Sequence, residues 1–128
     1  MSLTRTLTAG TSEGSPGSTR VRRLVVLHGP AAGSALLVER GARWVLGRAG
    51  GEPGLWALGD AEVSRQHAAL EWEEGSSTPW LVDLGSRNGT FLDGARCQRT
   101  ALQHGAVLRL GTSVLLWEDL ELPSFVRL

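Results

Sequence analysis

From Val21 to Trp117 the chain is a series of short apolar runs, each closed by turn-forming or charged residues, and this rhythm limits the fold more than any other feature. Leu24–Leu27 is closed by His28-Gly29-Pro30, Leu36–Val38 by Arg40-Gly41, Trp44–Leu46 by Gly47 and Ala68–Trp72 by Glu74-Gly75-Ser76. Trp80–Val82 stops at Asp83, Thr90–Leu92 at Asp93-Gly94, Val107–Leu110 at Gly111 and Val114–Trp117 at Glu118-Asp119. Runs of this length are too short for stable helices but suit strands. Spaced roughly every ten residues, they predict an all-β sandwich or barrel. The period agrees: in Val107-Leu108-Arg109-Leu110, Leu108 and Leu110 face one side and Arg109 the other. Asp93-Gly94 is a two-residue hairpin signal. The best helical candidate, Glu62–Leu70, has polar residues on every face.

A chain of 128 residues suits one domain. Residues 1–20, rich in Ser, Thr and Gly, are expected to form a flexible N-terminal leader, and residues 21–118 the folded unit. Residues 119–128 are expected to be a C-terminal tail or the start of an interdomain linker, with Pro123 breaking strand pairing. Thirteen basic and thirteen acidic residues cancel, so nothing in the net charge favours nucleic acid or an anionic membrane. No apolar run approaches the ~20 residues of a membrane span, and no secretory signal opens the chain, so a cytoplasmic setting is expected. A single cysteine, Cys97, cannot form an internal disulfide or a cysteine-rich metal site and is expected to be inert. All basic residues are arginine, and lysine, tyrosine and isoleucine are missing, a composition that suggests a GC-rich bacterial genome. Trp44, Trp56, Trp72, Trp80 and Trp117 read as core or strand-face packing.

Three loops carry the chemistry. They are Gly47-Arg48, Val63-Ser64-Arg65-Gln66-His67 and Asp83-Leu84-Gly85-Ser86-Arg87-Asn88-Gly89-Thr90. Together they offer guanidinium, hydroxyl and carboxamide donors, with His67 as the one strong base. Such donors suit a phosphate, whose oxygens accept hydrogen bonds and carry nearly two charges near neutral pH. Asp60, Glu62, Asp83 and Asp93 lie nearby in sequence, so this is not a broad basic surface. Local readings compete with that one. Ser64 could cap a turn, Arg65 could pair with Glu62 at the surface, and Asn88-Gly89 is a good turn dipeptide in which Asn88 would tolerate a positive φ. His67 reads as a histidine that holds its loop through ring-nitrogen hydrogen bonds. An enzyme reading is weak. Ser64 and His67 lack a carboxylate orienter, Gly29–Ser34 lacks the lysine of a phosphate loop, and His28, His67 and His104 are too far apart for a metal motif. No catalytic residue, metal or cofactor is expected.

Gly47-Arg48, Ser64-Arg65-Gln66-His67, Asn88-Gly89 and the closing His104–Gly111 segment, in that order, resemble the forkhead-associated (FHA) domain family over about residues 21–118. The resemblance implies a sandwich of about eleven strands in two sheets, with the binding loops at one end. It implies recognition of phosphothreonine peptides, in a partner or within the parent chain. On that resemblance Arg48 and Ser64 contact the phosphate, Arg65 reaches the phosphate or peptide, and Asn88 binds the peptide main chain. Gly47, His67 and Gly89 support the site. Arg87 stands where the family often has threonine, replacing a hydroxyl with another cation. In bacteria, domains of this kind occur fused to kinases, secretion components and enhancer-dependent (sigma-54) transcription activators, and the leader and tail suit an N-terminal sensory module of such a protein. The alternative is a sandwich of the same fold that binds an unphosphorylated partner or dimerises. The oligomeric state is left open.

Overall fold

A computed structural model of the chain describes residues 18–123. They form eleven strands and no helix. The strands are β1 (Ser18–His28), β2 (Ala35–Leu37), β3 (Trp44–Gly47), β4 (Leu55–Ala57), β5 (Ala68–Glu71) and β6 (Trp80–Asp83). They continue with β7 (Thr90–Leu92), β8 (Ala95–Cys97), β9 (Arg99–Ala101), β10 (Val107–Leu110) and β11 (Ser113–Pro123). One sheet has five strands in the order β9-β6-β5-β3-β4, and the other has six in the order β2-β1-β11-β10-β7-β8. Of the sandwich or barrel that the apolar rhythm allows, this is the two-sheet sandwich that the family resemblance implied.

Between the sheets lies one core of Leu24, Leu46, Leu58, Leu70, Leu81, Leu102, Leu108, Leu110, Leu115 and Trp117, all essentially inaccessible to solvent. Trp44, Trp56 and Trp72 pack against it from the margins. Trp80 lies under the Arg99 guanidinium, 4.0 Å from the ring centre. The alternation of β10 is as the sequence predicts, with Leu108 and Leu110 buried and Val107 and Arg109 exposed. The Asp93-Gly94 hairpin joins β7 to β8 with both residues at positive φ (50° and 85°), the conformation of a type I′ turn.

Two boundaries differ from expectation. Strand β1 begins at Ser18, inside the expected leader, and β11 runs to Pro123, inside the expected tail. The two strands pair from Val114 opposite His28, through a bulge at Leu27, down to Pro123 opposite Ser18. Proline ends the ladder without breaking it, because a terminal position can do without an N–H donor. The rest of the leader, residues 1–17, and of the tail, residues 124–128, lies outside the described residues. Three strands, β4, β8 and β9, were not anticipated, although β4 lies in the apolar run Leu55–Leu58 between Gly54 and Gly59, whereas β8 and β9 have no such run. Each has three residues and each is a sheet edge, where pairing on one side suffices.

The topology brings the loops of interest to one end. β3 and β4 run parallel and both finish there, with Gly47 opposite Ala57. β5 is antiparallel to β3 and begins there, with Ala68 opposite Leu46. β6 finishes there, with Asp83 opposite Ala68. In the other sheet, Thr90 at the start of β7 faces Leu110 at the end of β10.

Candidate functional site

The segment between β4 and β5 is pinned by Asp60, a buried carboxylate. Its Oδ1 accepts the Glu62 N–H (2.9 Å), and its Oδ2 accepts the Thr112 N–H (2.9 Å), the Thr112 hydroxyl (2.7 Å) and the Ser113 hydroxyl (2.8 Å). Burial pushes the Asp60 pKa up, but the hydrogen bonds from Thr112, Glu62 and Ser113 prevail and hold it below the ordinary 3.8. The loop is thereby fastened across the sandwich to the β10–β11 turn.

Asp83 does the same for the loop between β6 and β7. Its carboxylate accepts the hydroxyls of Ser86 and Thr90 and the N–H groups of Gly85 (3.0 Å) and Ser86 (3.1 Å). Here too burial raises the pKa, and the bonds from Ser86, Thr90 and Gly85 bring it below 3.8. Ser86 Oγ in turn accepts the Gly89 N–H at 3.0 Å.

His67 joins the two loops. It is fully buried, and its Nδ1 accepts the Ser64 N–H at 3.0 Å. A backbone N–H can only donate, so the ring proton sits on Nε2, which donates to the Gly89 carbonyl at 2.9 Å. Ser64 is held further by its carbonyl, which accepts the Arg48 N–H (3.1 Å), and by its Oγ, which accepts the Arg87 N–H (3.0 Å). With Oγ already accepting, the Ser64 hydroxyl hydrogen remains for another acceptor.

Two glycines set the backbone. A Cβ on Gly47 would stand 2.0 Å from the Arg65 carbonyl oxygen, closer than any side chain can be placed. Gly89 adopts φ +90°, a conformation that side chains disfavour. Asn88 does not share it: among the described residues other than glycine, Asp93 is the one with positive φ. The turn therefore does not require asparagine for its φ, contrary to the local reading of Asn88-Gly89.

Arg48, Ser64, Arg87 and Asn88 converge on one polar depression of about 230 Å3, completed by Ala61, Glu62 and Val63. Arg65 is exposed and does not line it. Nor does Arg65 pair with Glu62. The Glu62 carbonyl and carboxylate face Asn88 instead, accepting its Nδ2 at 2.9 and 3.5 Å. That tether turns the Asn88 Oδ1 into a free acceptor. The guanidinium groups of Arg48, Arg65 and Arg87 have no partner among the described residues, whereas Arg20, Arg23, Arg43 and Arg99 are all in ion pairs. Unpaired cations, a spare hydroxyl hydrogen and a carboxamide acceptor around one hollow can bind an anion attached to a peptide backbone.

Asp60, Asp83 and Glu62 were missed as parts of this site. Asp83 had a local signal, since an aspartate followed by serine three residues later favours a side-chain-stabilised turn. Asp60 had none, because Thr112 and Ser113 are more than fifty residues away. Cys97 is half-buried; burial, and to a lesser degree the Asp83 charge, holds its thiol above the ordinary 9.0 against a hydrogen bond with Thr100. It stays a protonated thiol at neutral pH. No group of three or more metal-ligating side chains occurs among the described residues. No helix there is long and apolar enough to cross a membrane.

The family model described as FHA domain matches residues 44–111, more than half of the chain. The FHA domain-containing protein FhaA of Mycobacterium tuberculosis (strain ATCC 25618 / H37Rv) is 36% identical over 72 residues. That match takes in 56% of this chain and 13% of FhaA, so the chain spans about an eighth of that relative's length. An FHA domain solved in a structural and functional analysis of phosphothreonine-dependent FHA domain interactions is 31% identical, with a TM-score of 0.65 over 77% of this chain and 95% of that one. The FHA domain of a hypothetical protein of Arabidopsis thaliana, 32% identical, has a TM-score of 0.74 over 91% and 100% of the two chains. On its sandwich, its loop constellation and these likenesses, the chain belongs to the FHA domain family.

Proposed function

We propose that this domain binds phosphothreonine in a partner protein or within its parent chain, as a phosphorylation-dependent interaction module. FHA domains are interaction modules rather than enzymes. The observation that carries the reading is the meeting of Arg48, Ser64, Arg87 and Asn88 in one hollow with donors to spare. Arg48 and Arg87 supply charge to the phosphate and the Ser64 hydroxyl donates to it. Asn88, steadied by Glu62, offers its Oδ1 to a main-chain N–H of the peptide. Arg65, outside the hollow, reaches the peptide only at its margin. Gly47, His67 and Gly89 act on the ligand indirectly, by fixing those groups. The alanine side chain of Ala61 and the buried Val63 are the apolar members of the lining. Packing the threonine γ-methyl there favours threonine over serine by about 0.8 kcal/mol.

Each charge-assisted hydrogen bond to the phosphate contributes roughly 1.5–3 kcal/mol, and ordering the peptide offsets much of the sum. A dissociation constant near the micromolar range follows, about −8 kcal/mol. The related domain studied for phosphothreonine-dependent interactions supports the ligand class. The reading extends to a place as the sensory module of a bacterial regulator, such as an enhancer-dependent transcription activator. The test is calorimetry against a degenerate phosphothreonine peptide library and its unphosphorylated counterpart. Binding of the phosphorylated form alone is expected, and equal binding of both would overturn the proposal.

A second reading, association without phosphate, is favoured by one observation. Leu27 and Leu37 are 53% and 63% exposed on the six-stranded sheet. Arg48→Ala discriminates, since it abolishes phosphopeptide binding and leaves a sheet-face contact intact.

A further inference from the structure

Beside the hollow lies a cation that the site as described does not use. Arg96, on edge strand β8, is exposed and sits opposite Phe91 in the ladder. Its side chain reaches back over the Asn88-Gly89 turn. A Cβ built on Gly89 would meet its Nε at 2.9 Å, Cζ at 3.1 Å and Nη2 at 3.3 Å. The guanidinium therefore occupies the space that a side chain at position 89 would fill.

Nothing there holds it by charge. The Gly89 N–H donates to Ser86 Oγ and its carbonyl accepts from His67, and neither is bonded to Arg96. No carboxylate among the described residues forms an ion pair with it. Asp83 accepts four hydrogen bonds and Asp93 Oδ1 accepts the Val107 N–H. Arg96 makes no ion pair or hydrogen bond among the described residues, in contrast to Arg99, on the edge strand β9 of the other sheet, which pairs with Glu73. A planar guanidinium held against a glycine, with its N–H groups unmatched, suits a carboxylate or a phosphate.

We propose that Arg96 forms a second anion subsite next to Asn88, which selects peptides carrying an acidic or phosphorylated side chain close to the phosphothreonine. The subsite rests on the phosphothreonine reading above. It adds to it a ligand with at least two anionic groups, the second read by Arg96 rather than by Arg48.

The test screens a degenerate library, with phosphothreonine fixed and all flanking positions varied, against wild type and Arg96→Gln. A second arm includes phosphoserine at the flanks, to separate carboxylate from phosphate. Wild type is expected to enrich an anionic residue at a flanking position, and Arg96→Gln to lose that enrichment. Synthetic peptides with and without that residue should differ in affinity by about fivefold for wild type and not for Arg96→Gln, the size of a partly exposed ion pair. Arg96→Lys should keep part of the difference. Melting temperatures of the variants should match wild type, because the side chain has no partner to lose. Phosphothreonine binding with the same flanking preference in wild type and Arg96→Gln, or with no anionic preference at all, overturns the subsite and leaves the primary site standing. Absence of any phosphopeptide binding overturns both.

Discussion

Replacing His67 with alanine removes two hydrogen bonds at once, those with the Ser64 N–H and the Gly89 carbonyl, and opens a cavity in a fully buried place. The expected loss is about 3 kcal/mol, enough to lower the melting temperature by about 10 °C. Arg48→Ala should lie within about 0.5 kcal/mol of wild type in stability, since its guanidinium is exposed, and should lose phosphopeptide binding. Thermal melts beside a titration separate the two. If Arg48→Ala unfolds the protein, Arg48 is a structural residue. For Asn88 the negative φ makes alanine compatible with the backbone, so Asn88→Ala should fold. It should weaken binding by roughly 1–3 kcal/mol, tenfold to a hundredfold in Kd. Unchanged affinity would reduce Asn88 to a tether for Glu62. At this scale the residue types were legible, because donors in glycine-rich loops are chemically conspicuous. The tether between Asn88 and Glu62 was not, since it spans 26 positions between two loops.

Among the elements, the β3 end and the loop pinned by Asp60 are the most sensitive. Gly47→Ala puts a methyl group 2.0 Å from a backbone oxygen that cannot swing away. A fall in melting temperature with loss of ligand binding is expected, and a variant that melts and binds like wild type would show that the strand end can shift freely. Asp60 and Asp83 govern the acid limb of stability. Their folded pKa values lie below the ordinary carboxyl range, and an unfolded aspartate titrates near 3.9. Between the folded and unfolded values the unfolded chain binds more protons. Their stabilisation is therefore complete above about pH 4 and is lost as pH falls through the folded values. Denaturant titrations from pH 2 to 7 should show this decline, and Asp60→Asn should flatten part of it. An acid limb unaltered by Asp60→Asn would remove Asp60 from that role. Strands with a run of apolar residues could be placed from sequence, and β4, in the run Leu55–Leu58, carried that signal too, whereas the three-residue edges β8 and β9 exist because a neighbour offers a ladder.

For the whole molecule, two pH windows should separate. The second ionisation of a phosphate lies near pH 6, and the dianion is the form that Arg48 and Arg87 hold best. Affinity should fall as pH drops below about 6, while the fold persists to about pH 4. At pH 5 the domain should be folded and bind weakly. Salt should weaken binding as well, since the site is open to solvent. Calorimetry from pH 5 to 7.5 checks this, and a flat affinity would count against phosphate as the main anchor.

The alternating short runs, the turn residues and the Asp93-Gly94 hairpin determine by themselves that the chain is an all-β sandwich or barrel, because strand period and turn chemistry are local properties, and the pairing of distant strands made it a two-sheet sandwich. Gly47, Arg48, Ser64, His67 and Asn88 could likewise be singled out as residue types in loops. Only the tertiary structure decided which of them meet. It placed Arg87 in the hollow and Arg65 outside it, moved the strand ends to Ser18 and Pro123, and set Arg96 over Gly89. Those outcomes depend on the parallel run of β3 beside β4, on carboxylates bonding to residues as many as 53 positions away, and on a buried imidazole between two loops. They are free-energy balances between distant segments, which no local pattern records.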